Sequence, residues 1–267
     1  YFSSVTITPL VLLFRRKVKF VWTLHDINGS ALDYALRYLS TCIYHHTVVV
    51  SEATRSSLWT LMIPQKKLHT IYNGISIEDH KPSAFTTISL VNIGMIVPWK
   101  GQEELITNIK RLKVEYPLHL IGDNKDDQSY VSYVKSLSEG RDIKFHGFTA
   151  RPWKLVAEQI SSSHLAILIH SSIKPDPLPT VILESIANAV VPFVSCYGGG
   201  CEMIPQHLWS LLVYDPCDAS EILDVFERRI KYIVDNQAVI IGELQSHVRS
   251  KFSLSLKIRS LGEIYGS

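Results

Sequence analysis

Residues 170–204 read HSSIKPDPLPTVILESIANAVVPFVSCYGGGCEMI. The stretch divides into a strand end, a loop with three prolines, a helix, a second strand, a glycine turn and the start of another helix. A strand, a crossover helix and a strand in that order are the repeating unit of a parallel α/β sheet. Pro179 suits the first helical position, where its missing N–H removes no hydrogen bond, and Thr180 follows it. Asp176 then falls in the loop and Glu184 in the first turns of the helix, eight residues further on.

The same rhythm extends in both directions. Val18–Leu24, Thr47–Val50, Leu68–Tyr72, Ile88–Gly94, Leu118–Gly122, Ile143–His146, Leu165–Ile169, Val191–Ser195 and Leu211–Tyr214 read as strands. Several are apolar at nearly every position, the pattern of parallel strands covered on both faces. Gln102–Glu115 and Val181–Val190 are long enough for crossover helices. The polar stretch Ser76–Thr87, with Pro82 and no periodicity, reads as a linker between two Rossmann-like domains. The expected division is 1–84, 85–250, and a terminal helix over 251–267 that packs back towards the first domain. The second domain reads as complete with six strands. The first reads as incomplete, with about three strands.

Composition narrows the function. Of 267 residues, 46% are hydrophobic and 19% charged, enough apolar side chain for a large core and too much for a disordered chain. Lysine and arginine number 27 against 25 acidic residues, so no basic excess points to nucleic acid. Four cysteines are too few for a disulfide framework, and a reduced cytoplasmic setting is expected. No apolar run reaches the ~20 residues that span a bilayer. Val5–Phe14 is broken by Pro9, and its basic residues follow the apolar run, the reverse of a signal peptide.

A carboxylate accepts two parallel hydrogen bonds, which matches vicinal sugar hydroxyls. The N–H groups of a helix start suit a phosphate. Gly198, Gly199 and Gly200 bring bare backbone towards the same anion. Taken singly, a helix carboxylate is usually a solvated residue and a triple glycine only a turn. At consecutive strand ends of one sheet they point to one extended ligand. A dehydrogenase is disfavoured because Gly-x-Gly-x-x-Gly after a first strand is missing. A glycosidase pair would have its carboxyls flank one bond at ~5–9.5 Å, whereas a loop and a helix place these at two ends of a ligand.

Asp176 to Glu184, Pro192 to Ser195 and Gly198-Gly199 to Glu202 resemble the donor signature of glycosyltransferase family 4, of the GT-B fold. LHD at Leu24–Asp26, VVVSEATR at Val48–Arg55, IYNGI at Ile71–Ile75 and IGMIVPWKGQEELI at Ile93–Ile106 follow the family's order. LIGD ending at Asp123 and FHGF at Phe145–Phe148 continue it. The resemblance implies a nucleotide-sugar-dependent transferase that retains anomeric configuration. Its acceptor would be a glycan or lipid-linked sugar, commonly in bacterial surface polysaccharide synthesis. No metal or further cofactor is expected, because no Asp-x-Asp loop stands beside the diphosphate site and Asp123–Asp127 reads as a solvated turn. Glu184 would take the ribose, Asp176 the transferred sugar, and Lys100 the diphosphate, helped by Gly198–Gly200. Pro179, Thr180 and Glu202 would complete the donor site, and His25 would stand in the cleft.

Three departures stand out. Asp176 replaces the family's usual glutamate, Met95 replaces an arginine expected at the diphosphate, and the opening glycine-rich segment of the first domain does not appear. The last raises the alternative of a truncated GT-B chain that binds nucleotide sugar without transfer. Arg15, Arg16, Lys17 and Lys19 form a basic run that would touch the cytoplasmic membrane face, or equally a solvated helix end. His45-His46 and the Cys196/Cys201 pair read as structural, since no second pair at metal-ligand spacing accompanies them. Trp99 reads as packing beneath the turn that carries Lys100.

Overall fold

The computed structural model describes residues 11–14, 16–27, 29–58, 65–77, 87–160 and 164–266. Arg15 and most of the expected linker, residues 78–86, lie outside them.

Two parallel sheets result. The first is β1 (Val21–Leu24), β2 (His46–Val49) and β3 (Leu68–Thr70), paired in that order. Helices α1 (Ala31–Ile43) and α2 (Glu52–Ser57) belong to it. Ser30 caps α1 by accepting from the Asp33 N–H while Asp33 reaches back to Ser30, a reciprocal pair that fixes where the helix starts.

The second sheet holds β4 (Thr87–Ile93), β5 (Leu118–Ile121), β6 (Ile143–Phe145), β7 (His164–His170), β8 (Val191–Ser195) and β9 (Val213–Tyr214). Its order is β6-β5-β4-β7-β8-β9, all parallel. Crossovers from β4 run one way to β6, and those from β7 run the other way to β9. The order therefore reverses between β4 and β7, and ligands of open α/β sheets bind at the carboxyl ends of such a switch. Helices α3 (Gln102–Ile109), α4 (Gln128–Ser136), α5 (Thr180–Ala187) and α6 (Ile230–Lys251) accompany this sheet. Every residue of β5 and β8 is buried, as strands covered on both faces must be.

Some boundaries differ from the sequence reading. Leu211 and Leu212 close a helical turn, Trp209–Leu212, anchored by the Trp209 indole donating to the Ile204 carbonyl, so β9 begins only at Val213. Helix α5 stops at Ala187 because Ala189 turns left-handed, with φ 55°. Pro179 stands at the cap of α5, one position before the one expected.

The last helix, α7 (Leu254–Gly266), lies on the first sheet, with Ile264 packed against Val48 and Ile71. Lys257 Nζ donates to Asn73 Oδ1 at 2.9 Å. Where the chain passes between domains its backbone pairs with itself. Ile75 N–H donates to the Phe252 carbonyl at 2.8 Å, and Leu254 N–H to the Ile75 carbonyl at 3.3 Å. Among the described residues, no helix is long and apolar enough to cross a membrane.

Two histidine pairs bridge neighbouring strands, His46 with His69 at 3.0 Å and His119 with His146 at 2.9 Å. Burial, the facing His146 and nearby Lys144 push the His119 imidazole down to about 4. Burial and Lys144 also lower His146. Between the ordinary value of 6.5 and about 4, the unfolded chain binds protons that the folded chain refuses, so stability falls as pH falls through that window. The urea midpoint is expected to drop steadily from pH 7 to pH 4.5, and His119→Phe to flatten the decline. An unchanged slope in that variant would assign the decline elsewhere.

Candidate active site

The loops that leave β4 and β7 meet at the switch point. After β4 the chain makes a single helical turn, Pro98–Lys100, and enters α3 through Gly101 at φ 69°. Only glycine fits there, because a Cβ would stand 2.0 Å from the Ser171 carbonyl oxygen. The turn docks on the start of the β7 loop. Ser171 Oγ donates to the Lys100 carbonyl at 2.8 Å, and Ile173 N–H to the Trp99 carbonyl at 3.0 Å.

Lys100 Nζ is thereby aimed at the Asp176 carboxylate, with which it forms an ion pair, and it lies 4.3 Å from the Trp99 ring centre. Trp99 thus holds the ammonium group by cation–π attraction. Asp176 is only 6% exposed. Burial pushes its carboxyl up, but the neighbouring His170 and Lys100 outweigh that and hold it below the ordinary carboxylate value. His170 Nε2 lies 3.6 Å from Asp176 Oδ2 and 3.0 Å from Ser172 Oγ. Burial lowers the imidazole and leaves it neutral, despite the raising effect of Asp176. A carboxylate can only accept, so the nitrogen facing it carries the proton.

Glu184 projects from α5 and accepts the Trp153 indole N–H on Oε2 at 2.8 Å. One bond from an indole fixes the carboxylate while leaving its second oxygen to accept from a ligand. Trp153 follows Pro152, and Pro152 is part of the wall of a pocket of about 240 Å³ at the ends of β4, β5 and β6. Gly94, Met95, Gly122, Phe148 and Thr149 complete most of that wall. Met95 and Phe148 are 57% and 71% exposed, so the mouth of the pocket is apolar. Where a cationic side chain was expected there is a thioether suited to a flat ring.

The glycine turn serves differently from the sequence reading. Gly199 N–H donates to the Asp176 carbonyl at 2.8 Å, so it supports the loop and is not a bare donor for an anion. Gly198 bridges to Asp176 as well, with φ 91°. Glu202, expected at the donor, is turned away to the first domain. It accepts from the Glu52 and Ala53 N–H groups at 2.9 and 2.8 Å and from the Tyr72 hydroxyl at 2.8 Å. Thr180 opens α5 and is exposed. His25 is exposed just past β1, and no described hydrogen bond or ion pair ties it to the group around Lys100. Arg16, Lys17 and Lys19 are exposed.

Lys100, Asp176, the glycine turn and Glu184 therefore all stand on segments that follow the carboxyl ends of strands in the second sheet. His170 and Trp153 join them without having been singled out from sequence. His170 was visible only as the polar residue ending an apolar strand.

The sequence profile described as Glycosyl transferases group 1 matches residues 77–251. The chain belongs to this family. A second profile, Glycosyltransferase Family 4, matches residues 2–79, so the two meet at the expected linker. The lipopolysaccharide 1,6-galactosyltransferase of Escherichia coli K12 is 23% identical over 198 residues, 71% of this chain and 53% of the relative. Its counterpart from Salmonella typhimurium LT2 is 24% identical over 197 residues, 69% of this chain and 50% of the relative. The chain spans about half the length of these two relatives.

Among solved structures, Anabaena HepE in complex with UDP and glucose superposes with a TM-score of 0.84 at 20% identity, covering 98% of this chain and 75% of that one. The apo lipopolysaccharide outer core galactosyltransferase WaaB gives 0.72 at 16% identity, covering 98% and 80%. The two parallel-sheet domains of this group 1 glycosyl transferase are thus the GT-B fold that the motifs implied.

Proposed function

We propose that this protein transfers a sugar from a uridine diphosphate sugar to a glycan or lipid-linked acceptor, with retention of anomeric configuration. The observation that carries the reading is the set of features on the loops and helix starts at the carboxyl ends of the second sheet's strands. These are an apolar-mouthed pocket of about 240 Å³, the Trp153-held Glu184 and the Lys100–Asp176 pair. Base, ribose, diphosphate and sugar occur in that order in a nucleotide sugar. The base would lie by Phe148 and Met95, and the ribose hydroxyls would meet the free Glu184 oxygen. Lys100 would exchange Asp176 for the diphosphate, whose charge grows as the bond to the sugar breaks. Asp176, then released, would accept from sugar hydroxyls.

UDP is favoured because the similar Anabaena structure holds it, and a lipopolysaccharide acceptor because the galactosyltransferases named above carry that in their names. A cytoplasmic protein that touches the membrane face through Arg16, Lys17 and Lys19 fits such an acceptor. With Lys100 as counter-ion, no divalent metal is required. Thermal shift against UDP-, GDP- and dTDP-sugars is expected to favour UDP, undiminished in EDTA. Transfer in EDTA, with NMR of the product's anomeric proton, tests the rest. Loss of transfer in EDTA and recovery with Mg²⁺ would sink the metal-free reading, and an inverted product would sink retention.

A further inference from the structure

The Glu202 carboxylate makes three hydrogen bonds, all to the other domain. Two come from the opening N–H groups of α2, whose next free donor, Thr54 N–H, is taken by the Ser51 hydroxyl at 3.0 Å. The third comes from Tyr72, whose hydroxyl is pushed well above its ordinary value by burial and by the Glu202 charge, so it stays a donor. A negative group at the positive end of a helix is favourable, and no neutral side chain could accept all three bonds so well.

Glu202 stands near the end of a short helical turn, Gly199–Met203, and the start of that turn holds the donor-side loop. Gly199 N–H binds the Asp176 carbonyl, and a Cβ on Gly199 would stand 2.0 Å from the Pro177 carbonyl oxygen and 3.0 Å from Ser51. Backbone of the second domain is thus pressed between the Asp176 loop and the first domain. Met203 packs in the main core of the second domain and Cys201 Sγ donates to the Ser195 carbonyl at 3.5 Å, so the turn is braced along its length and strain at one end is passed to the other.

We infer that Glu202 is a positioning residue, one that couples the seating of the first domain to the loop carrying Asp176. When the clasp is closed, the turn presses the loop so that Asp176 faces Lys100. When it opens, both the α2 start and the Asp176 loop lose their support. The coupling belongs to the free protein, so it stands or falls apart from the assignment of the donor.

Hydrogen exchange on the whole chain tests this, read in fragments covering 51–55, 171–178 and 196–201, with the β4 and β7 cores as reference. Glu202→Gln places an amide opposite N–H donors and is expected to speed exchange about tenfold at 51–55. A several-fold increase is expected at 171–178 and 196–201, with the strand cores unchanged. Glu202→Asp should recover part of the protection. Faster exchange at 51–55 with the Asp176 loop unaffected would overturn the coupling, as would no change anywhere. Should Glu202→Gln loosen the cores as well, Tyr72→Phe removes one bond without a cavity. The same fragments should then speed up two- to threefold, and unchanged rates in Tyr72→Phe would overturn the proposal.

Discussion

Lys100→Ala is expected to abolish transfer and to destabilise the protein, and the second effect separates the two duties of this side chain. Asp176 is buried and ionised, with Lys100 as its cation and a neutral imidazole as its other neighbour. Removing one partner of a buried pair leaves an uncompensated charge, a loss of about 3 kcal/mol. Equilibrium urea unfolding should show that loss, and the double variant Lys100→Ala/Asp176→Asn should recover most of it. The double variant should nevertheless stay inactive, down by a factor on the order of 10²–10³, because the leaving diphosphate has lost its counter-charge. Recovery of transfer along with stability would show that Lys100 serves the fold alone.

Glu184→Ala should weaken UDP binding about 10–100-fold, the loss of charged hydrogen bonds of ~1.5–3 kcal/mol. Asp176→Ala should act in the opposite sense on the same titration. It frees Lys100, so UDP affinity should hold or tighten while sugar transfer falls. Trp153→Phe keeps the ring and removes only the indole donor to Glu184, and a smaller loss, a few-fold, is expected. Equal losses for Glu184→Ala and Asp176→Ala would contradict the division of the donor between them.

What the sequence discloses follows from how far apart the partners lie along the chain. Each of the nine strands among the described residues overlaps a stretch read as a strand. Those covered on both faces, β5 and β8, were legible because such a strand must be apolar throughout, and the rhythm of all nine implied two parallel sheets. The spacing of Asp176 and Glu184 was legible for the same local reason, one loop and one helix turn. The hold of Glu202 on the first domain was not legible, because its partners, Glu52, Ala53 and Tyr72, lie 130–150 residues earlier in the chain. Nothing local distinguishes a carboxylate that caps a distant helix from one that meets a ligand. The glycine turn was legible, but not that the Gly199 N–H meets the Asp176 carbonyl, since a glycine turn offers its N–H groups to whatever approaches. Trp153 lies 31 residues from Glu184, and only the folded sheet shows that its N–H aims there.

The backbone pairing of Ile75 with Phe252 and Leu254 bears on how such a cleft can open. The chain crosses from one domain to the other and later returns, and the departing and returning segments are stitched to each other at that point. A single connecting thread would let one lobe swivel freely about its own axis. Two threads bound side by side act like the spine of a book, admitting a swing of the covers and resisting a twist between them. A ligand entering between the lobes would then meet edges that part along one line.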